Sequence, residues 1–309
     1  MATRRSTESA ARDHRPRLEP IALPFNFAPP DTDDEAAQRA RSMPAGKQRF
    51  WGIPFELAAR RRKYKLLRLV RGEEARVPFR GTPTHLCVLH YWEGPPDPAR
   101  GDAGGETVGE YVLHYKDGRE TRVPVRFRFE LGCGAHVWGM HLFNAVSHEA
   151  PRSLDFMSPE CRQTNSWGTL QTAATGPGLH EPWIFAMPNP EPNRPVDGMT
   201  FRGCHDSPLY VVGLTLYDGP GHPLRHNARR YFRLELPKGA DVESLDVDLG
   251  VLVRDAGAAS PRGDQWLNAP EAGLGAAPDA PRDEQHRLLE ISAADGATLT
   301  VGRRNRGHP

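Results

Sequence analysis

Cysteine is scarce in this chain of 309 residues: the 4 present, Cys87, Cys133, Cys161 and Cys204, stand far apart with no C-x-x-C pair among them. That spacing argues against zinc ribbons and redox motifs and predicts buried free thiols, with disulfides reserved for an oxidising compartment. Long hydrophobic runs are missing too, and none reaches membrane-spanning length. The N-terminal MATRRSTESAARDHRPRLEP has positive charge but no apolar stretch behind it. It therefore does not read as a secretion signal, and a soluble, cytoplasmic chain is expected. Neither sign of charge dominates: 40 Lys and Arg oppose 39 Asp and Glu, a net charge of +1. No global field recommends nucleic acid or an anionic membrane, and neither is expected as a partner. Also absent are a P-loop, a G-x-G-x-x-G turn after a strand and a G-x-S-x-G elbow, so no nucleotide or serine-hydrolase signature stands out.

What the chain does have is turn residues, 30 Gly and 30 Pro, in a composition that is 38% hydrophobic and 26% charged. Such a chain is globular, with many turns and few long helices, so the expectation is all-β. Only DDEAAQRAR offers a short helix, capped by Asp33 or Asp34. Strand signals then recur: YKLLRLV before a turn at Arg71-Gly72, ARVPF, and THLCVLHYW, an apolar run suited to a central strand. The most patterned stretch is VGEYVLHYKDGRETRVPVRFRFELG. Val108, Glu110, Val112 and His114 alternate with Tyr111, Leu113 and Tyr115, and Asp117-Gly118 supplies a turn. Beyond it Val123, Val125, Phe127, Phe129 and Leu131 alternate with Arg122, Arg126, Arg128 and Glu130. The pattern predicts an antiparallel hairpin of residues 108–115 and 120–131 that serves as scaffold.

Residues 133–182 are irregular and rich in Trp, His, Asn, Ser and Gly. PWIFAMPNPEPNRPVDGMTFRGC and PLYVVGLTLYDG return to strand character, followed by RRYFRLELP, SLDVDLGVLVRD, HRLLEISA and ATLTVGRR. The expected organisation is a disordered leader over residues 1–18, a β-sandwich over 19–226, and a β-rich extension over 227–309. That extension forms either a small module or added strands, and the Ala/Gly/Pro-rich residues 256–282 are its loop. The basic run ARRRKYKLLRLVRG reads as a solvated strand edge or an exposed face beside an acidic neighbour, with local nucleic-acid binding as the alternative.

The succession WGIPFEL, THLCVLHYWEG, the hairpin stretch, HVW, WIFAMPNPEPNRPVDGMTFRG and VVGLTLYDG resembles the galactose-binding-like jelly-roll domains, accessory modules of many bacterial carbohydrate-active proteins. The likeness spans residues 25–218. It implies an antiparallel jelly-roll β-sandwich of eight or nine strands that binds a sugar or another ligand at its loop end. The family often carries a structural calcium, so that ion is what the resemblance suggests, and no cofactor is certain. The chain departs from the pattern in having neither a secretion signal nor a recognisable catalytic module.

Sugar recognition needs flat aromatic faces beside planar polar side chains on loops. Trp138, His136, His141, Asn165 and Trp167 offer that mixture and are the candidate ligand-binding residues, whereas Trp92 reads as structural. The alternative for Trp138 and Trp167 is a role as core plugs. His136 with His141, or His85 with His90, could hold a metal only if further donors converged, and spacing specifies no metal set. No catalytic residue is expected, since Glu149, Asp155, Glu160 and Glu181 supply carboxylates without singling out a pair, and Ser147-His148-Glu149 is adjacent only in sequence. The expected function is non-catalytic binding of a carbohydrate or glycoconjugate. The alternatives are a carbohydrate-active enzyme using loop carboxylates and a structural module that docks another protein.

Overall fold

In the computed structural model the two longest apolar runs become neighbouring antiparallel strands, β6 (His85–Trp92) and β12 (Leu209–Tyr217). The structure describes residues 16–94, 104–132, 142–148, 182–224, 230–237, 240–255, 286–294 and 297–305. Every residue of β12 is buried, as is β6 from Leu86 onward. Strands covered on both faces need no polar alternation, which is why these runs lack it. On one face of β6, His90 meets Tyr111 and Trp92 meets Phe127. The other face of the sheet is covered by the chain before it: a Cβ on Gly213 would press within 2.7 Å of Leu57 and 3.0 Å of Phe55.

Along its free edge β12 pairs with β4 (Leu67–Leu69) through Leu209, Tyr210 and Val211, and with β1 (Leu18–Ile21) through residues 214–217. Beyond β6 come β10 (Trp183–Pro188) and then β9 (Ala145–Ser147). The second antiparallel sheet has the order β5 (Glu74–Val77), β11 (Val196–Gly203), β7 (Thr107–Tyr115), β8 (Glu120–Arg126). Trp92, Tyr111 and Phe201 are at most 1% exposed. Burial of each such side chain contributes about 2 to 3 kcal/mol before entropy. The chain is all-β, with sheets packed face to face.

The hairpin forms around the expected turn. Gly118 takes φ +85°, its amide donates to the Tyr115 carbonyl, and the Asp117 carboxylate accepts from the Arg119 amide. Glu110, Val112 and His114 stand opposite Pro124, Arg122 and Glu120, as the alternation predicts. The outward face of this sheet carries a cross-strand ladder of charge: Arg202 bridges Glu74 and Glu110, and His114 contacts Glu120 and Thr200.

One boundary differs from expectation. The second strand stops at Arg126 and does not run to Leu131. Arg128 enters the left-handed region at φ +66°, and the chain doubles back so that Phe127 bridges Leu131. The Phe127 amide makes the last bond of the ladder, to the Glu106 carbonyl, and Glu130 closes the reversal with its carboxylate accepting from the Arg126 amide at the free edge of β8.

The short helix α1 (Glu35–Ser42) is capped by Asp34, whose Oδ1 accepts from the Ala37 amide at 2.8 Å. After it, β2 (Lys47–Phe50) and β3 (Ile53–Glu56) form a two-residue hairpin that the sequence pattern does not announce. Both turn residues have positive φ, Trp51 at 53° and Gly52 at 76°. Trp51 is held there by donating its indole N–H to the Ser147 carbonyl at 2.7 Å. Gly52 lies against backbone: an added Cβ would fall 2.1 Å from the Leu249 nitrogen.

That contact joins the hairpin to the C-terminal strands. There β13 (Arg230–Glu235), β16 (His286–Ala293) and β15 (Gly250–Asp255) form one sheet, and β14 (Ala240–Val247) pairs with β17 (Leu299–Asn305). Val247, Leu289 and Ile291 form their small core, while Leu249 and Ala294 join the main one. Residues 1–15 and the whole of the expected loop 256–282 lie outside the described residues.

Candidate functional site at the loop end

The two ends of the sandwich are built differently. At one end the turns are stitched by buried Asn189: its Oδ1 accepts from the Tyr115 hydroxyl and from the Glu191 amide, and its Nδ2 donates to the Pro83 carbonyl. At the other end Trp92 stands opposite Leu209, His90 opposite Trp183, and Thr107 opposite Arg126. The chain between Gly132 and Leu142, and between His148 and Pro182, leaves and rejoins the sheets here. Those spans contain all five expected ligand-binding residues: His136, Trp138, His141, Asn165 and Trp167 lie outside the described residues. So do Glu149, Asp155, Glu160 and Glu181.

What is described at this end is a connected rim. The Glu130 carboxylate, with a side chain only 4% exposed, accepts from Arg126 Nη2 at 2.7 Å and Nε at 3.1 Å, and from Asn144 Nδ2 at 2.9 Å. These bonds push Arg126 further up from its already high value. The clamped guanidinium sits 4.4 Å from the Phe129 ring centroid, and Phe129 in turn packs against Phe143 at 5.0 Å. Phe143 is 72% exposed. This braced, exposed ring is the candidate contact feature of the described rim.

The rim is tied to the core through the Glu130 main chain. The Glu130 carbonyl accepts from His90 Nε2 at 2.9 Å. A carbonyl can only accept, so the imidazole proton is on Nε2, and Nδ1 accepts from the Tyr111 hydroxyl at 2.5 Å. Phe185 stacks on the same ring. Burial pushes His90 down to about 4 and Tyr111 well up, so both are neutral at ordinary pH.

His90 therefore has no nitrogen left for a metal, and His85 lies elsewhere, against Thr84, Tyr217 and His222. Among the described residues no three His, Cys, Asp or Glu side chains gather as a metal site. Trp92 is structural as expected, 1% exposed with its indole donating to the Ser207 carbonyl. His148 bonds the Pro182 carbonyl and meets Phe50 edge-on, and Ser147 is buried. Cys87 and Cys204 are free, and burial pushes both thiols up, which disfavours the nucleophilic thiolate.

The rim residues Arg126, Phe129, Glu130, Phe143 and Asn144 were not among the residues the sequence singled out for the site. The one signal was RFRFE, in which Arg126 stands four residues before Glu130. No protein-family model matches this chain, and a search of curated proteins finds no match either.

Proposed function

We propose that this chain is a non-catalytic β-sandwich that binds a carbohydrate or glycoconjugate at the loop end described above. The fold reading beneath it is a jelly roll of the galactose-binding-like kind. Its support is the order of eight strands, β4-β12-β6-β10 facing β5-β11-β7-β8, with β1 and β9 added to the first sheet: among these eight the first pairs with the last and the second with the last but one. That nesting is how a ribbon folded on itself pairs its strands.

The observation that carries the binding reading is Phe143. Its ring is exposed, braced by Phe129, and next to Arg126 and Asn144, which supplies a flat apolar face beside planar polar groups. The protein-docking alternative has less support, because one sheet's outer face is self-paired charge and the other's is covered by residues 23–66. Function still has to come from the site and not from the fold.

The test is a glycan panel read by heat stabilisation and calorimetry, repeated on Phe143→Ala, Trp138→Ala and Trp167→Ala. Loss of a stacking face costs about 1 to 3 kcal/mol of binding, by analogy with bases stacked on aromatics, and leaves the melt unchanged. A variant that instead loses about 3 to 5 kcal/mol of stability has lost a core plug. Release of reducing sugar would favour the enzyme reading, and no binding across the panel would sink the proposal.

A further inference from the structure

The loop between β3 and β4 holds a concentration of charge that the sandwich does not use. Between Glu56 and Glu73 the chain has no acidic residue, while Arg60, Arg61, Arg62, Lys63 and Lys65 crowd into six positions. Arg60 to Tyr64 are all exposed, and Tyr64 itself is 47% exposed. On the outer sheet face, by contrast, the cations are laced to acids. In this loop, among the described residues, no acidic side chain pairs with any of the five cations. The two basic residues that follow are engaged elsewhere, Arg68 over the Phe27 ring and Arg71 on Asp206. The acidic neighbour that the sequence reading supposed is thus not found, although the net charge of the chain is only +1.

We propose that this loop binds single-stranded nucleic acid, its cations neutralising backbone phosphates while the Tyr64 ring stacks on a base. Three features favour this class of polyanion. Unpaired cations give up no internal partner on binding. Tyr64 stands between Lys63, whose ammonium lies 5.4 Å from its ring centroid, and Lys65, so an aromatic face is flanked by phosphate-binding charge. And the segment is an irregular loop, with no helix to enter a major groove. The site is separate from the Phe143 rim and does not rest on the carbohydrate reading.

The test uses the full chain and a fluorescein-labelled oligothymidylate of about 15 nucleotides, with anisotropy followed across a salt series. Five phosphates neutralised on a single strand predict a slope of log affinity against log salt of about −3.5. Replacing Arg60, Arg61 and Arg62 together by Ser should make that slope shallower by about 2. Tyr64→Ala should weaken binding about tenfold and leave the slope alone. Arg80→Ser, an exposed cation outside the loop, should change neither. All these positions are exposed, so the variants are expected to keep the parent melt, which is checked first. The assignment is overturned if the oligonucleotide does not bind at low salt, or if the triple variant keeps the parent slope. It is equally overturned if heparin displaces the oligonucleotide as readily as unlabelled oligothymidylate does while Tyr64→Ala has no effect, because the loop is then a general polyanion site.

Discussion

Acid should weaken this fold through one buried imidazole. His90 is completely enclosed, its Nε2 donating to the Glu130 carbonyl and its Nδ1 accepting from Tyr111, and burial holds it down at about 4 against an ordinary 6.5. Between those values the unfolded chain binds a proton that the folded chain does not. Stability is therefore intact above 6.5 and falls as the pH drops toward 4. The gap corresponds to about 3 kcal/mol in all, of which about 2 kcal/mol is felt by about pH 4.5. Other groups titrate over the same range, so the informative quantity is a difference of differences. Urea unfolding of the parent and of His90→Gln would be compared at about pH 7.5 and about pH 4.5, the glutamine amide being able to donate and accept without titrating. At neutral pH the variant carries whatever its altered shape costs. On acidification the parent should lose about 2 kcal/mol more than the variant. If the two lose stability in parallel, the ring is either not enclosed or not the group that responds, and the link from core to rim through Glu130 loses its main support.

Two further perturbations probe the rim and the hairpin. Glu130→Gln turns two N–H donors toward the Arg126 guanidinium and should destabilise the fold by about 2 to 4 kcal/mol in urea unfolding; a change under about 0.5 kcal/mol would mean that the clamp does not organise the turn. Gly52→Ala must place a Cβ against the Leu249 backbone at positive φ, whereas Gly118→Ala meets open space at a similar φ. The first should cost about 2 to 4 kcal/mol and the second about 1 kcal/mol by thermal melts, and equal costs would refute the packing of the hairpin tip on the C-terminal strands.

How far the sequence reaches depends on whether a local pattern decides the backbone. The 107–126 hairpin was legible because period-two alternation and an Asp-Gly turn agree, and α1 because Asp34 stands at a cap position before an acidic residue. The strands of the C-terminal part were legible for the same reason. The turn at Trp51-Gly52 was not: a Trp at positive φ is disfavoured locally, and it is held by Ser147, almost a hundred positions away. The overrun of β8 has the same origin. As a strand, Arg126, Arg128 and Glu130 would share a solvent face and look like an ordinary charged edge. In the fold Glu130 turns inward, the Arg126 guanidinium that bonds it stays at the surface over Phe129, and Phe129 packs on the exposed Phe143. Only Glu130 and Phe129 leave their expected faces, while Val125, Phe127 and Leu131 stay buried, and that exchange places Phe129 where it braces Phe143. A period-two pattern cannot foretell it, because Arg126 and Glu130 are four apart and satisfy a strand face and a closed turn equally well. What distinguishes the two is whether anything at depth can donate to the Glu130 carbonyl, and that donor is His90 Nε2, on a strand forty residues earlier.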